Sequence, residues 1–214
     1  MTDSIPEQLI LFTRYPKAGQ TKTRLIPALG AQGAADFQRR MTERLVEEGR
    51  KLGNSRPLNF AVRYEGGDLT LMRRWLGDTL PCLPQHGEDL GGRLRQAFAD
   101  SFEAGHQRVI IIGADCPALS AAVMEQAFGE LAQADVVLGP ARDGGYYLVG
   151  LRAPLPALFS RIDWGTGKVL SQTRRNAALL RASVTMLEEL ADVDRPEDLQ
   201  YLSKSPKAGN GRAA

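Results

Sequence analysis

The chain has 214 residues, 43% of them hydrophobic and 24% charged. This balance excludes global disorder and suits one α/β domain, or at most two small ones. The net charge is +2, but Lys204, Lys207 and Arg212 fall in an acid-free stretch at the C-terminus; the rest is near neutral, which speaks against a nucleic-acid partner.

Residues 1–12 (MTDSIPEQLILF) carry acids where a signal peptide would carry Lys or Arg. Residues 8–13 (QLILFT) are a continuous apolar run broken by Pro16 and Gly19, which predicts a buried parallel-type strand and then a loop. Phe37, Met41, Leu45 and Leu52 recur at helical spacing over 31–53, with a stop at Gly53-Asn54. Residues 58–63 alternate as a second strand, and 69–76 and 88–105 read as amphipathic helices. Residues 108–112 (RVIII) form the clearest buried strand, ended by Gly113-Ala114-Asp115-Cys116-Pro117. Ser120 is a plausible N-cap for a helix to about Ala134. Strands at 135–138 and 146–151 are joined by Asp143-Gly144-Gly145, short enough for an antiparallel hairpin. A helix over 168–182, a strand over 183–187 and a short helix over 196–202 complete the pattern. Residues 1–202 are expected as a single domain and 203–214 as a disordered tail. Alternating strands and helices predict an α/β fold whose ligands bind at the carboxyl ends of the strands. No stretch approaches the roughly 20 apolar residues of a membrane span, so the expected location is the cytoplasm.

The loops after the strands carry the chemistry. Arg14, Lys17, Lys22 and Arg24 crowd the first loop with no acid among them. A diphosphate suits such a loop, as does a merely solvated charged face. It is no Walker loop, since Pro16 and Thr21 stand where that motif needs glycines. Asp115, directly after a buried strand, is placed to bind Mg²⁺ or Mn²⁺, or to cap the following turn. Asp192 and Asp194 share a face if extended, and either could complete a metal site with Asp115; Asp194 also reads as a helix N-cap. Trp164 sits in a polar loop where it could cover a ligand or pack in the core. Cys82 and Cys116 make no disulfide scaffold, and with His86 and His106 they give no zinc spacing.

Taken together, residues 8–25, GADCPAL at 113–119, GPARDGGYYLVGL at 139–151, IDWGT at 162–166 and DVDRPEDL at 192–199 resemble a bacterial GT-A-type family. Its members are glycosyltransferase-like proteins related to 2-phospholactate guanylyltransferase, some labelled arsenosugar-biosynthesis glycosyltransferases. The likeness spans nearly all of 8–202. It implies a nucleotide-diphospho-sugar transferase (Rossmann-like) fold with a mostly parallel mixed sheet, and a divalent Mg²⁺ or Mn²⁺. It implies a nucleotide-phosphate loop of Lys17, Gly19, Lys22, Thr23 and Arg24, with Gly113 and Asp115 also on the nucleotide. Asp115 and Asp194 match the family's metal-binding acids, and Asp143-Gly144-Gly145 its substrate-facing turn.

The resemblance makes sugar transfer from a nucleotide-sugar to a small-molecule acceptor the first expectation. Lys22 and Arg24 would then stabilise the leaving diphosphate, and Asp143 would be the candidate base. Asp143, Tyr146 and Tyr147 offer a carboxylate and two phenols to a hydroxyl-rich sugar. Asp115 is a single acid where many glycosyltransferases carry an Asp-x-Asp pair. That departure favours the alternative, a nucleotidyltransferase releasing pyrophosphate from a nucleoside triphosphate. A catalytically silent nucleotide-sugar binder is the third expectation.

Overall fold

The computed structural model describes residues 6–204. The strands are β1 (Glu7–Arg14), β2 (Asn59–Glu65), β3 (Cys82–Pro84), β4 (Arg108–Gly113), β5 (Val136–Pro140), β6 (Tyr146–Leu151) and β7 (Val184–Met186). They form one seven-stranded sheet in the order β3-β2-β1-β4-β6-β5-β7. Every pairing is parallel except those of β6, which runs antiparallel to both β4 and β5. This is the mixed, mostly parallel sheet expected from the alternating pattern and the Asp143-Gly144-Gly145 hairpin.

The five α-helices are α1 (Ile26–Ser55), α2 (Leu69–Leu76), α3 (Leu90–Glu103), α4 (Ala121–Glu130) and α5 (Val169–Leu179). The run of apolar residues in β1 is explained by cover on both faces. Leu9 and Leu11 belong to one core with Leu45 and Leu52 of α1, Met72 of α2 and Phe128 of α4. Ile10 and Phe12 belong to the opposite core with Leu94 and Phe98 of α3, Ala177 of α5 and Phe159. Each such side chain contributes about 1.5–3 kcal/mol on burial.

Some elements depart from the sequence expectation. Strand β3 is three residues long and flanked by Pro81, too short to register as a periodic signal. It pairs with β2 at the sheet edge, where Val62 N–H donates to Pro81 O at 2.8 Å. Helix α5 stops at Leu179, and Arg181 takes a left-handed conformation with φ 55°. Gly30 breaks the start of α1, with φ 71°. The last element is a 3-10 helix, Pro196–Lys204, which carries the chain beyond 202; the rest of the expected tail lies outside the described residues.

From β1 the chain builds β2 and β3 on one side, then returns to place β4 on the other. That reversal opens a crevice at the carboxyl ends of β1 and β4. The β5–β6 turn closes its far side. Gly144 sits there with φ 86°, and its carbonyl accepts Leu170 N–H at 2.9 Å, fastening the turn to the start of α5. A β-carbon on Gly144 would collide with the backbone of Gly167. Gly144→Ala therefore combines a left-handed penalty of about 1–2 kcal/mol with a backbone clash. The expected result is a melting temperature lower by more than about 4 °C. An unchanged melting curve would show that the turn relaxes freely.

Candidate active site

The crevice is a cleft of about 600 Å³. Its walls come from the ends of β1 and β4, the loop after β1, the β5–β6 turn, the segment around Trp164 and the acids at 192 and 194. Of the residues singled out from sequence, Lys22, Thr23, Arg24, Gly113, Asp115, Asp143, Gly145, Trp164 and Asp194 line it together. Lys17, Gly19 and Gly144 are not among the lining residues, and Lys17 and Gly19 are exposed on the outer part of their loop.

The loop after β1 is fixed by its own turns. Thr21 Oγ1 donates to Tyr15 O at 2.9 Å and accepts Lys17 N–H at 3.2 Å. Lys22 then adopts a left-handed backbone, with φ 49°, and its side chain turns inward. Its ammonium lies 2.8 Å from Asp115 Oδ1 and 3.4 Å from Asp194 Oδ1, and donates to Val193 O at 2.7 Å. The lysine side chain is only 5% exposed, so these oxygens replace most of its water. Arg24 donates to the other oxygen of Asp194 at 2.5 Å. The two acids, far apart in sequence, therefore meet on one cation.

Asp194 is not the cap of the 3-10 helix. The carboxylate of Asp198 accepts the backbone N–H groups of Asp194 and Arg195, at 3.1 and 2.8 Å. Asp194 is thereby free to face Lys22 and Arg24 rather than cap the 3-10 helix. Burial alone would raise its carboxyl pKa, but the charges of Lys22 and Arg24 and their hydrogen bonds hold it below the usual range. Asp192 behaves oppositely. Burial pushes its carboxyl up to about 6, and the carboxylates of Asp143, Asp198 and Asp115 add to the rise. Asp115, Asp143, Asp192 and Asp194 thus share the cleft with Lys22 and Arg24.

The phenols expected at the substrate edge are otherwise engaged. Tyr147 donates its hydroxyl to Glu188 O at 3.0 Å, and its ring packs where a side chain on Gly139 would be. The Tyr146 hydroxyl is buried. One oxygen of Asp143 accepts Gly145 N–H at 2.8 Å within the turn. Trp164 is half-buried, edge-on to Tyr146 with ring centroids 6.5 Å apart. Its indole nitrogen comes so close to Gly91 of α3 that a β-carbon there would stand 2.7 Å away.

Sequence reasoning missed the other end of the cleft. Glu65, Gln85, Leu90 and Arg93 line it beyond β2 and β3. Arg14 and Arg93 both pair with Glu65, at 2.6 and 2.9 Å. A usable signal lay in Pro84-Gln85-His86-Gly87, polar turn residues directly before a capped helix. Without β3 recognised, they did not read as a strand-end loop.

Acid-linked stability follows from these pairs. Burial would raise the pKa of Glu65, but hydrogen bonds from Arg93 and Arg14, and their charges, bring it below the usual value. Hydrogen bonds from Ser183 do the same for Asp135, against a small burial effect and with Arg152 assisting. A carboxyl whose folded pKa is depressed stabilises fully above its unfolded value, near 4, and loses that contribution as pH falls through the folded value. Asp192, whose carboxyl is raised to about 6 chiefly by burial, acts in the opposite sense and adds stability as pH falls from 7 towards 5. The melting temperature is therefore expected to rise slightly over that range and to fall steeply below about 4. Scanning calorimetry over pH 2–7 checks this, and a flat acid limb would count against it.

Among the described residues, no helix is long and apolar enough to cross a membrane, and no three His, Cys, Asp or Glu side chains converge as a ready-made metal cage. The fold is shared with known proteins. A Desulfovibrio desulfuricans G20 crystal structure, provisionally named a nucleotide-diphospho-sugar transferase, is 30% identical with a TM-score of 0.89, covering 96% of this chain and 89% of that one. Rv0371c of Mycobacterium tuberculosis H37Rv in complex with manganese is 16% identical with a TM-score of 0.57, covering 94% of this chain and 98% of that one, a likeness of fold. The phosphoenolpyruvate guanylyltransferase of Chloroflexus aggregans is 25% identical over 178 residues, which is 81% of this chain and 88% of the relative. Residues 50–166 match the family described as uncharacterized protein conserved in bacteria (DUF2064). With more than half its length matched and the family's sheet in place, the chain belongs to this bacterial family of nucleotide-diphospho-sugar-transferase-like fold.

Proposed function

We propose that the protein is a nucleotidyltransferase. It takes a nucleoside triphosphate and a phosphorylated small molecule, joins the nucleotide to that phosphate and releases pyrophosphate. One observation carries this reading over sugar transfer: a charged, phosphate-handling set lines the cleft, while neither phenol beside Asp143 offers it an open hydroxyl. The Tyr147 hydroxyl is bound to Glu188 O, the Tyr146 hydroxyl is buried, and Asp143 gives an oxygen to its own turn. The cleft is lined by a phosphate-handling set of Lys22, Thr23, Arg24, Asp115 and Asp194, whose charged members pair with one another until a phosphate or a cation displaces them. The guanylyltransferase relative agrees with it.

The chemistry needs little else. An ionised phosphate oxygen of the acceptor attacks the α-phosphorus. A new P–O bond forms as the α–β bridge breaks, and the electron pair leaves on pyrophosphate. No proton has to be removed from the nucleophile, so no general base is required. Lys22 and Arg24 neutralise the departing charge.

The donor set fits a divalent ion. Asp115 and Asp194 are already drawn onto one cation, and Asp192 lines the same cleft. Mg²⁺ takes one or two carboxylates together with substrate phosphate oxygens and water, so an incomplete protein cage is what it needs. Asp115 and Asp194 would hold such an ion, Mg²⁺ or Mn²⁺, which would screen phosphate charge and polarise the reacting P–O bonds. It would compete with Lys22 for the same oxygens.

A screen of nucleoside triphosphates and nucleotide-sugars tests the reading. Each donor is run with phosphorylated acids and with sugar alcohols, and the products are resolved by mass spectrometry. Acceptor-dependent pyrophosphate is expected. Nucleoside diphosphate released from a nucleotide-sugar would restore sugar transfer, the reading that the name of the Desulfovibrio relative favours. Binding without any product would identify a silent binder.

A further inference from the structure

We propose that two copies of the chain pair through the open edge of β7 and join their seven-stranded sheets into one continuous sheet. The interface is independent of the reaction, since no residue from 179 to 189 lines the cleft. β3 and β7 are the two edge strands. Pro81 and Pro84 guard the β3 edge, because proline has no N–H to offer a further strand. Residues 179–191 (LLRASVTMLEELA) hold neither proline nor lysine, the usual guards of an edge.

The backbone of β7 is half used. Ser183 O accepts Val136 N–H at 3.0 Å, and Leu187 N–H donates to Leu138 O at 2.9 Å. These odd-numbered residues turn their main-chain groups toward β5, so strand alternation turns those of Val184 and Met186 to the open side. Contact with β5 continues past β7, where Leu190 N–H donates to Pro140 O at 3.0 Å. Leu179 and Leu180 stand at the end of α5, directly before the turn into β7. Leu179 is 74% exposed, and Leu180 and Met186 are exposed as well. Three of the seven large apolar side chains exposed among the described residues thus fall between 179 and 186, a local patch rather than a scatter.

A second copy fits this edge because the edge is complementary to itself. A two-fold axis through Thr185 sets Val184 of one copy opposite Met186 of the other, and the reverse. Each such pair exchanges both main-chain hydrogen bonds, and the four side chains form one apolar row across the axis. Arg181 and Glu189 each stand four residues from Thr185, so the same axis brings Arg181 of each copy towards Glu189 of the other. Both are exposed. The pair that Glu189 makes within its own chain is loose, 3.8 Å from Arg142 with both side chains over half exposed, so turning to a second cation costs little. Opposite charges thus meet twice in this register.

Sedimentation of the full chain at concentrations up to about 200 µM tests this, and a species of twice 23.3 kDa is expected. Met186→Pro removes only an outward N–H and should leave a folded chain of single-subunit mass, with circular dichroism checking the fold. Arg181→Glu should weaken association about tenfold or more, Glu189→Arg likewise, and the double reversal should recover most of the loss. Thr185→Cys should cross-link to its own copy when treated with oxidised glutathione, because residues at the axis face each other with Cα atoms about 4.5 Å apart. The wild type should not cross-link, since Cys82 and Cys116 are buried. A single-subunit mass at every concentration would overturn the proposal. So would a dimer that gives no Thr185→Cys cross-link or that keeps its affinity in Arg181→Glu, because its interface would then lie elsewhere. Those two readings decide the matter even if Met186→Pro fails to fold.

Discussion

Asp115→Asn should reduce turnover by at least about a hundredfold and remove its dependence on Mg²⁺, with the fold intact. Asp115 leaves the end of β4 and reaches the ammonium of Lys22 at 2.8 Å. Its side chain is 49% exposed, so an amide there is not forced into an apolar core. Lys22 keeps Asp194 and Val193 O as partners, which limits the stability cost to about 1 kcal/mol. Asparagine coordinates a hard cation poorly, and losing about 3 kcal/mol of charge stabilisation is roughly a hundredfold in rate. Turnover against Mg²⁺ concentration, alongside a melting curve, checks the expectation. A variant with normal Mg²⁺-dependent turnover and a much lower melting temperature would make Asp115 a structural residue.

Lys22→Met should weaken nucleoside triphosphate binding at least about tenfold, because a charge-assisted bond to phosphate contributes about 1.5–3 kcal/mol. It should also change the response to metal in the opposite sense. In the wild type the ammonium holds Asp115 and Asp194, so a divalent ion must displace it. Without the ammonium Asp115 loses its cation and Asp194 keeps only Arg24, both beside Asp192, whose own carboxyl is already pushed up to about 6 by burial and by its acidic neighbours. The variant should melt lower than the wild type in chelator and recover more than the wild type when Mg²⁺ is added. Equal Mg²⁺ shifts in both proteins would mean that the ion, if bound, sits elsewhere. Unchanged triphosphate affinity would confine Lys22 to a structural role.

Much of the fold was legible in the chain. β1 and β4 are short, continuous apolar runs cut off by polar loops, and strands buried on both faces need that pattern. The helices carried their own start signals in Asp68, Asp89 and Ser120, whose side chains accept backbone N–H groups at the first turns. Strand ends marked by glycine, acid or cation fixed which loops would face a ligand, because a parallel sheet gathers its carboxyl ends on one edge. These signals are local, and local periodicity is what a sequence displays.

The contents of the site depended on contacts between distant residues. No spacing announced that Lys22 would turn inward onto Asp115 and Asp194, or that Asp198 would take the capping role and free Asp194. Nor could composition reveal that the two phenols after Asp143 would be consumed, one by Glu188 O and one by burial. The same limit hid Gln85, whose amide is held at the far end of the cleft by the carbonyls of Thr13 and Arg63, from β1 and β2. Sequence determined which groups each strand end would offer. Tertiary structure decided how those groups are partnered before a ligand arrives, because each hydrogen bond or ion pair already made is one that a substrate or cation must displace.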